Sequence, residues 1–377
     1  MSSKKRISIL LGHSVNIPSK SSGGVEKVFE EIFYKWDQGN FEYTLIGKTS
    51  IKKMDSKQIS FNKKIIKLNG YKWSTYKIVN LILSLFWCLK AKKYLKNSDF
   101  VIYNSVFGPL IHRIFNLKGM VSYCDQRGTG KVNFLIPSFT LDRLYVISNI
   151  VKNSWNKRYT NKIMTIPNCV NIDLFNFVER YNRTHNGYKM LFVGRIVEEK
   201  GLILLLNSLK LLLNVYRLPI IQLNIIGPFE TTKGGSENYY KECNHFVIQN
   251  NLEDYVKFLG EKTSSEINDF LSVSDVFIMS SIWEEAFGIV NIEALATGLP
   301  IVGFNKGALP EIIQNKEEGF LVNEITSEAL AAGIFNHYNL SVEDKILMEK
   351  KCRLKAENYD SRKIAELYLN DIKMFLN

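Results

Sequence analysis

The sequence contains few cysteines, and none of them lies at a spacing typical of a shared site. Cys88, Cys124, Cys169, Cys243 and Cys352 are scattered along 377 residues, which argues against a zinc site or a disulfide framework. The chain starts Met-Ser-Ser-Lys-Lys-Arg and lacks the apolar core and small-residue cleavage site of a signal peptide. We therefore expect a cytoplasmic protein that holds no metal.

Long uncharged apolar runs are also missing. The aromatic stretch 78–89 is 12 residues long, whereas a helix needs roughly 20 residues to span a bilayer. Lysines crowd on both sides of this stretch, at 52, 53, 57, 63, 64, 67, 72 and 77 and again at 90, 92, 93 and 96. The pattern favours an interfacial helix with Phe86 and Trp87 at the depth of lipid headgroups. The alternative is an amphipathic helix packed on its own domain.

Acidic residues are scarce in the first half of the chain. Residues 1–180 contain about 29 lysines and arginines against about 11 aspartates and glutamates, and the rest of the chain is net acidic. This asymmetry predicts an anionic acceptor or an anionic membrane surface as a partner of the first half. Nucleic acid is not expected, because the signatures of RNA-binding sheets, zinc fingers and helix-turn-helix motifs are missing.

The chain alternates apolar, strand-like runs with helical patterns, which is typical of parallel sheets covered by helices. The strand-like runs include 7–11, 100–103, 144–147, 189–193, 222–226, 275–279 and 300–303. A length of 377 residues suits two such α/β domains better than one. Because the polar segment 179–188 separates apolar patterns, we predict domains at 1–180 and 181–360, followed by an amphipathic helix within 361–377.

The most informative segment is 281–300, which reads Ser-Ile-Trp-Glu-Glu-Ala-Phe-Gly-Ile-Val-Asn-Ile-Glu-Ala-Leu-Ala-Thr-Gly-Leu-Pro. Apolar residues recur at helical spacing after Gly288, and Gly298 with Pro300 ends the pattern. A helix is therefore predicted to begin near Gly288. Its free backbone N–H groups at 288–290 would attract phosphate, and the glycine has no Cβ to keep the phosphate away.

Glu285 and Glu293 flank this predicted helix start. Eight helical residues span roughly 12 Å at about 1.5 Å each, which exceeds the roughly 5 to 9.5 Å between the paired carboxylates of glycosidases. A hydrolase pair is therefore disfavoured. We predict instead that Glu285 binds sugar hydroxyls and Glu293 a ribose diol of the same ligand; a solvated surface glutamate is the alternative for Glu293.

A second candidate loop follows the strand-like run 189–193. The segment 190–201 reads Met-Leu-Phe-Val-Gly-Arg-Ile-Val-Glu-Glu-Lys-Gly and precedes an apolar helical pattern. Arg195 offers a planar fork of donors and Lys200 a point charge, which suits the two phosphates of a nucleoside diphosphate. An ordinary loop with a solvated arginine and lysine is the alternative.

Together with other segments, these motifs resemble the retaining glycosyltransferases of family 4 (glycosyl transferases group 1), which have the GT-B architecture. The matching segments are 23–26, 166–168 with 173–175, 194–201, 256–260, 285–288, 293 and 298–300. The resemblance implies an α/β fold of two Rossmann-like domains whose parallel sheets face each other across a cleft, with the last helix returning to the first domain. It also implies metal-independent transfer of a sugar from a nucleotide diphosphate donor, with retention and without a cofactor.

By this resemblance, Arg195 and Lys200 would hold the donor diphosphate, Glu293 the ribose, and Glu285 the donor sugar near the reacting carbon. The donor-binding set further comprises Gly23, Gly24, Gly194, Leu259, Phe287, Gly288 and Ile289. Catalysis would be mostly electrostatic, with positive groups placed where the departing diphosphate gathers charge.

The chain departs from the family at one place. Similar enzymes commonly carry a histidine where this chain has Cys124, and Asp125 follows it. Asp125 or Arg127 is the candidate to take over the contact of this histidine, with His13 and His112 as substitutes. The alternative is that Asp125 is a turn-forming aspartate.

The sequence therefore predicts transfer from a UDP-sugar to a growing cell-surface glycan on a lipid carrier, such as an O-antigen or capsule precursor, at the inner face of the cytoplasmic membrane. A soluble acceptor, a teichoic-acid-like polyanion and a sugar-nucleotide binding module without turnover are the alternatives. The intact Arg195, Lys200 and Glu285 argue against the binding module.

Overall fold

The computed structural model describes residues 4–17, 24–36, 41–49, 63–71, 76–126, 136–180, 187–218 and 220–376. The chain divides into two compact units, one formed by Met1–Cys169 with Ser361–Asn377 and the other by Val170–Asp360. Each unit is a Rossmann-like α/β structure around its own parallel sheet, as the alternating pattern predicts.

The first unit has one sheet and flanking helices. Its strands are β1 (Lys5–Leu10), β2 (Asn16–Ile17), β3 (Phe41–Thr49), β4 (Lys63–Leu68), β5 (Phe100–Tyr103), β6 (Met120–Asp125), β7 (Arg143–Val146) and β8 (Ile163–Thr165). Its helices are α1 (Val25–Lys35), α2 (Lys77–Leu95), α3 (Gly108–Ile114), α4 (Asn149–Asn153) and α12 (Ser361–Leu376). The strand order is β2-β3-β1-β5-β6-β7-β8, with β4 beside β3. Parallel strands are covered on both faces, which explains uninterrupted buried runs such as β5.

Helix α12 packs on the first unit. Its Asp371 is buried and accepts hydrogen bonds from Arg143 at 2.9 Å and from the Tyr145 hydroxyl at 2.8 Å. The indole of Trp36 donates to the carbonyl of Ala365 at 3.0 Å. The last helix therefore supplies core contacts to a unit whose other elements end before residue 170.

The second unit has a six-stranded parallel sheet. Its strands are β9 (Tyr188–Val193), β10 (Ile221–Ile226), β11 (Val256–Phe258), β12 (Val276–Met279), β13 (Ile301–Phe304) and β14 (Gly319–Val322). Its helices are α5 (Leu202–Asn214), α6 (Glu237–Gln249), α7 (Ser264–Val273), α8 (Ile289–Ala296), α9 (Leu309–Ile312), α10 (Ser327–Tyr338) and α11 (Val342–Ala356). The strand order is β11-β10-β9-β12-β13-β14.

This strand order reverses direction between β9 and β12. From β9 the chain proceeds outward to β10 and β11, and it then returns to the other side of β9 with β12. Strands β9 and β12 are therefore the neighbours between which the strand order reverses, and open α/β sheets bind ligands at the carboxyl ends of such strands.

Residues 170–180 belong to the second unit, whereas the composition of the chain placed the boundary at residue 180. Arg180 is buried and donates to the carbonyls of Ser274 and Thr297, both at 2.9 Å. The amide of Val178 also donates to Thr297, at 3.2 Å. The polar segment 179–188 thus begins with a buried arginine; residues 181–186 of that segment lie outside the described residues.

Within the described residues, no helix is both long enough and apolar enough to cross a bilayer. Helix α2, which contains the run 78–89, buries Trp87 completely, while Ile78 and Phe86 are 72% and 54% exposed. The helix therefore has a core-facing side and an exposed apolar side.

Candidate functional site

The two loops singled out in the sequence lie side by side at the carboxyl ends of β9 and β12. The hydroxyl of Ser280 donates to the carbonyl of Lys200 at 2.9 Å, and the amide of Ile282 donates to the carbonyl of Glu199 at 3.0 Å. A Cβ on Gly201 would lie 2.2 Å from the Ser280 carbonyl oxygen, and Gly201 has φ +63°. Glycine at this position therefore permits the close approach of the two loops.

This approach brings Lys200 and Glu285 into direct contact. The ammonium of Lys200 donates to Oε2 of Glu285 in an ion pair. The two side chains are only 17% and 26% exposed, so the pair is partly shielded from solvent. The candidate phosphate-binding cation and the candidate sugar-binding carboxylate are therefore in contact.

Arg195 belongs to the same loop as Lys200 but has a different kind of partner. Its guanidinium donates to the carbonyl of Gly234 at 2.8 Å, and within the described residues no carboxylate lies at ion-pair distance from it. The loop that carries Gly234 is fixed by Lys233, whose ammonium lies 2.9 Å from Glu230 and 3.1 Å from Glu261. This support was not predicted from the sequence, because the contacting residues come from three separate loops.

The segment around Glu285 is also fixed from its other side. The amide of Ala308 donates to the Glu285 carbonyl at 2.9 Å. A Cβ on Gly307 would lie 2.6 Å from the Glu285 amide nitrogen, and Gly307 has φ +61°. Phe287 is buried and its ring packs edge-on against Tyr359 at 5.8 Å. The backbone that presents Glu285 is therefore held at both ends.

Helix α8 begins where the sequence predicted. Gly288 precedes it with φ +80°, and a Cβ on this residue would lie 2.6 Å from Nδ2 of Asn291. Ile289 is the first helical residue, and the first N–H groups of a helix have no acceptor within the helix. The first of these donors, the N–H of Ile289, lies four residues after Glu285, so an anion bound at Lys200 would lie near a helix start.

Glu293 lies in the middle of α8 and is only 3% exposed. The alternative of a solvated surface glutamate is therefore wrong. Its proposed contact with a ribose stays a prediction.

The candidate donor-binding residues Gly194 and Leu259 lie just after the carboxyl ends of β9 and β11, next to the end of β10. Gly194 and Gly227 approach so closely that a Cβ on Gly227 would lie 1.8 Å from the Gly194 carbonyl oxygen. The amide of Leu259 donates to Ile225 at 2.8 Å, which fixes the chain before Gly260. A Cβ on Gly260 would meet no atom within 4 Å, so there is open space above this residue.

The candidates of the first unit differ in their surroundings. Asp125 is fully buried and accepts a hydrogen bond from the indole of Trp155 at 2.9 Å. Burial raises the pKa of the neighbouring Cys124 thiol to about 12, so this thiol is neutral. The geometry favours a structural role for Asp125, and its contact with a substrate stays a prediction. Gly24 precedes α1 with φ +123°; Gly23 and Arg127 lie outside the described residues.

The two histidines considered as substitutes are both buried. His112 pairs through Nδ1 with the hydroxyl of Tyr103 at 2.9 Å, and burial lowers the pKa of His112 to about 4. A neutral, packed imidazole suits a core role. His13 is 5% exposed and lies just after β1. Among the described residues, no group of three or more His, Cys, Asp and Glu side chains is arranged to hold a metal ion.

Residues 176–351 match the family model described as glycosyl transferases group 1. This match includes Arg195, Lys200, Glu285 and Glu293. The chain is 25% identical to Spore coat protein SA of Bacillus subtilis over 312 residues, which cover 79% of this chain and 78% of that protein. It is 28% identical to the amylovoran biosynthesis glycosyltransferase AmsK of Erwinia amylovora, over 50% of this chain and 45% of that protein.

Solved structures share the fold over nearly the whole chain. The structure of Anabaena HepE in complex with UDP and glucose superposes with a TM-score of 0.75 at 16% identity, covering 97% of this chain and 99% of that chain. Sucrose-phosphate synthase from Thermosynechococcus elongatus superposes with a TM-score of 0.80 at 19% identity, covering 99% of each chain. The two Rossmann-like units are therefore those of the GT-B glycosyltransferase fold.

Proposed function

We propose, from the match of residues 176–351 to the glycosyl transferases group 1 model, that the chain is a retaining, metal-independent glycosyltransferase of family 4. Its donor would be a nucleoside diphosphate sugar, most simply a UDP-sugar. Its acceptor would be a growing cell-surface glycan on a lipid carrier. The name of AmsK, a protein of amylovoran biosynthesis, and the UDP and glucose bound by HepE support this class of reaction.

The observation that carries the proposal is the meeting of Lys200 and Glu285 at the point where the strand order reverses. Lys200, Arg195 and the first N–H groups of α8 are the donors for the diphosphate. Charge builds up on the diphosphate as the bond to the sugar breaks, and donors held in place by backbone contacts stabilise that charge without having to reorganise. The glycines that permit the close approach of the loops, Gly201 and Gly307, preserve this arrangement.

The other residues of the donor site follow from this placement. Glu285 would bind hydroxyls of the donor sugar, because its carboxylate is adjacent to the phosphate-binding ammonium. Glu293 would accept hydrogen bonds from the ribose, and the main chain at Leu259 and Gly260 would contact the base, where there is open space. In the first unit, Gly23 and Gly24 are proposed to approach the phosphates. Asp125 would act chiefly by holding Trp155.

A surface of the first unit supports the proposal of a lipid-linked acceptor. Helices α2 and α3 touch where the Lys92 ammonium lies 3.4 Å from the centre of the Phe115 ring. We call their exposed residues the α2–α3 face; these are the apolar residues Tyr76, Ile78, Val79, Ile82, Phe86, Ile114 and Phe115 and the lysines Lys90, Lys93, Lys96 and Lys118, whereas Arg113 is paired with Asp142 at 2.7 Å. Helix α2 contains no acidic residue.

This combination of exposed apolar side chains and cations suits the surface of an anionic membrane. Apolar rings would enter the headgroup region while lysines contact lipid phosphates. We propose that the protein is cytoplasmic and docks on the inner face of the cytoplasmic membrane, where a lipid-linked glycan is accessible. Nucleic acid is not proposed as a partner.

Other acceptors would use the same basic unit. A teichoic-acid-like polyanion or a soluble acceptor requires no membrane, and a sugar-nucleotide binding module requires no transfer. The backbone contacts that fix Lys200 and Glu285 favour an enzyme. They hold a carboxylate next to the proposed position of the donor sugar, and a protein that only binds the nucleotide has less need of such a carboxylate.

The test is the release of nucleotide from a panel of UDP-, GDP- and ADP-sugars, with and without lipid-linked acceptors. We expect release from one class of donor, stimulated by an acceptor and unaffected by a metal chelator. A protein that binds a nucleoside diphosphate but releases none from any donor is a binding module. Loss of activity with chelator, restored by magnesium or manganese, would refute the metal-independent mechanism.

A further inference from the structure

The ion pair of Lys200 and Glu285 sets up a competition within the proposed donor site. The ammonium of Lys200 is paired with a carboxylate oxygen of Glu285 and has no other polar partner among the described residues. A diphosphate that reaches this ammonium brings negative charge to a spot where a carboxylate already lies. Two anions at such a distance repel each other, and the repulsion is strong where solvent screening is reduced.

The loops themselves cannot separate to relieve this repulsion. The contacts of Ser280 with Lys200 and of Ile282 with Glu199 join them, and Gly201 lies directly against Ser280. On the other side, Gly307 and Ala308 hold the backbone of Glu285. Rearrangement is therefore expected at the side chains of Lys200 and Glu285, whose ion pair is the contact that a phosphate can replace.

Of the two candidate phosphate-binding cations, Lys200 is paired with a carboxylate and Arg195 is not. Its guanidinium donates to the neutral carbonyl of Gly234, and no acidic side chain of the described residues competes for it. An incoming diphosphate therefore meets one cation without a paired anion and one cation that must first be freed.

We infer that Glu285 is an internal competitor of the diphosphate, and that donor binding proceeds by exchange of carboxylate for phosphate on Lys200. The inference rests on the proposed function. When the phosphate displaces it, the Glu285 carboxylate turns to the donor sugar, which is attached to that same phosphate. After transfer no sugar remains to hold the carboxylate, so Glu285 returns to Lys200 and weakens the hold on the released nucleoside diphosphate. Binding of the diphosphate thus moves the Glu285 carboxylate to the donor sugar, and the return of this carboxylate to Lys200 promotes release of the nucleoside diphosphate.

The test is the binding of inorganic pyrophosphate and of UDP, measured by titration calorimetry on the full chain. Glu285→Gln keeps the shape of the side chain and removes its charge. We expect it to bind both ligands about two- to fivefold more tightly than the unaltered protein, since a partly exposed ion pair of this kind is worth at most about a factor of five in affinity. Its turnover with a UDP-sugar should fall at the same time.

Glu284→Gln is the matched control. Glu284 is the preceding residue, its side chain is 56% exposed, and its nearest cation is Lys306 at 4.0 Å. This variant removes one negative charge from the same loop without freeing Lys200, so we expect its affinities to change by less than about twofold. Equal tightening in both variants would show a general effect of charge and overturn the inference.

A second pair of variants locates the effect at Lys200. In a Lys200→Ala background the carboxylate has no ammonium to compete for, and only its direct repulsion of the diphosphate remains, so Glu285→Gln should tighten binding less than it does in the unaltered protein. Glu285→Ala should tighten binding in the same direction as Glu285→Gln. Unchanged or weaker pyrophosphate binding in both Glu285 variants overturns the inference while leaving the proposed function intact. An unaltered protein that binds neither pyrophosphate nor UDP overturns the donor site itself.

Discussion

Lys200 presents its ammonium from a loop whose backbone is fixed by Ser280 and by Gly201. Replacing Lys200 by alanine should remove one charge-assisted hydrogen bond to the diphosphate, worth about 1.5 to 3 kcal/mol, or roughly a ten- to hundredfold loss of affinity for UDP. Titration calorimetry measures this loss directly, and kcat/KM for the donor should fall at least as much.

Lys210 provides the comparison for this prediction. It lies on α5 of the same unit and is exposed, so Lys210→Ala changes the charge of the unit without touching the two loops. An equal loss of UDP affinity in both variants would remove Lys200 from the donor site.

At this scale the sequence predicted residue types but not their partners. Lys200 and Glu285 are 85 positions apart, and nothing local indicates that they form an ion pair. Asp125 is a similar case, because its position after Cys124 made it a candidate, whereas burial and the indole of Trp155 are contributed by other elements. Partners that come from distant segments depend on packing, which spacing along the chain does not show.

The described residues of each unit include a buried tyrosine–histidine pair that joins two elements. Tyr188 on β9 pairs with Nδ1 of His337 on α10 at 2.6 Å, as Tyr103 pairs with His112 in the first unit. Burial lowers the pKa of His337 to about 3, whereas an unfolded histidine titrates near 6.5. The unfolded chain therefore binds more protons below about pH 6.5, so the stability contributed by this pair is complete above that pH and is lost as the pH falls towards 3.

We expect the melting temperature to fall between about pH 7.5 and about pH 5, and His337→Gln to reduce the size of that fall. The exposed His245 supplies the control, since His245→Gln should leave the pH dependence as it is. A pH dependence that is identical in all three proteins would show that His337 does not govern it.

At the scale of helices and strands, the sequence predicted those elements whose ends are set by nearby residues. Helix α8 begins at Ile289, one residue after Gly288, because the positive φ of Gly288 interrupts the chain there and apolar helical spacing follows. The short strands β2 and β8 escaped prediction, since two or three residues carry no readable alternation. These short strands form because β2 pairs with β3 and β8 pairs with β7 through backbone hydrogen bonds.

At the scale of the whole molecule, the α2–α3 face gives the proposal of membrane docking a specific test. Replacing Ile82 and Phe86 by aspartate should lower partition to vesicles rich in phosphatidylserine by at least about tenfold, because each buried apolar side chain contributes about 1.5 to 3 kcal/mol. Co-sedimentation at low salt measures the partition. Added salt should weaken the binding of the unaltered protein by screening the lysines.

Leu354→Asp is the control for the face, because Leu354 is 63% exposed on α11 of the second unit. It should sediment with vesicles like the unaltered protein. Failure of the unaltered protein to sediment at low salt, or equal sedimentation of the Ile82 and Phe86 double variant, would exclude docking through this face.

The alternation of strand-like and helical segments was enough to predict two parallel-sheet units, because a buried parallel sheet imposes that pattern on the whole sequence. The exact boundary was not predictable in the same way. Arg180 stands in a polar stretch that reads as a linker, yet its guanidinium is bound by carbonyls of Leu271, Ser274 and Thr297 from the second unit. Composition alone does not reveal such long-range acceptors.

The return of α12 to the first unit also has a consequence for biosynthesis. The second unit is one uninterrupted stretch, so it has all of its residues as soon as Asp360 has been made. The first unit is begun earlier on the ribosome but finishes later, because Trp36 and Tyr145 wait for Ala365 and Asp371. Although an amino-terminal domain usually folds first during synthesis, the sheet of β1–β8 is expected to lack the packing of α12 until the residues of this helix have been made.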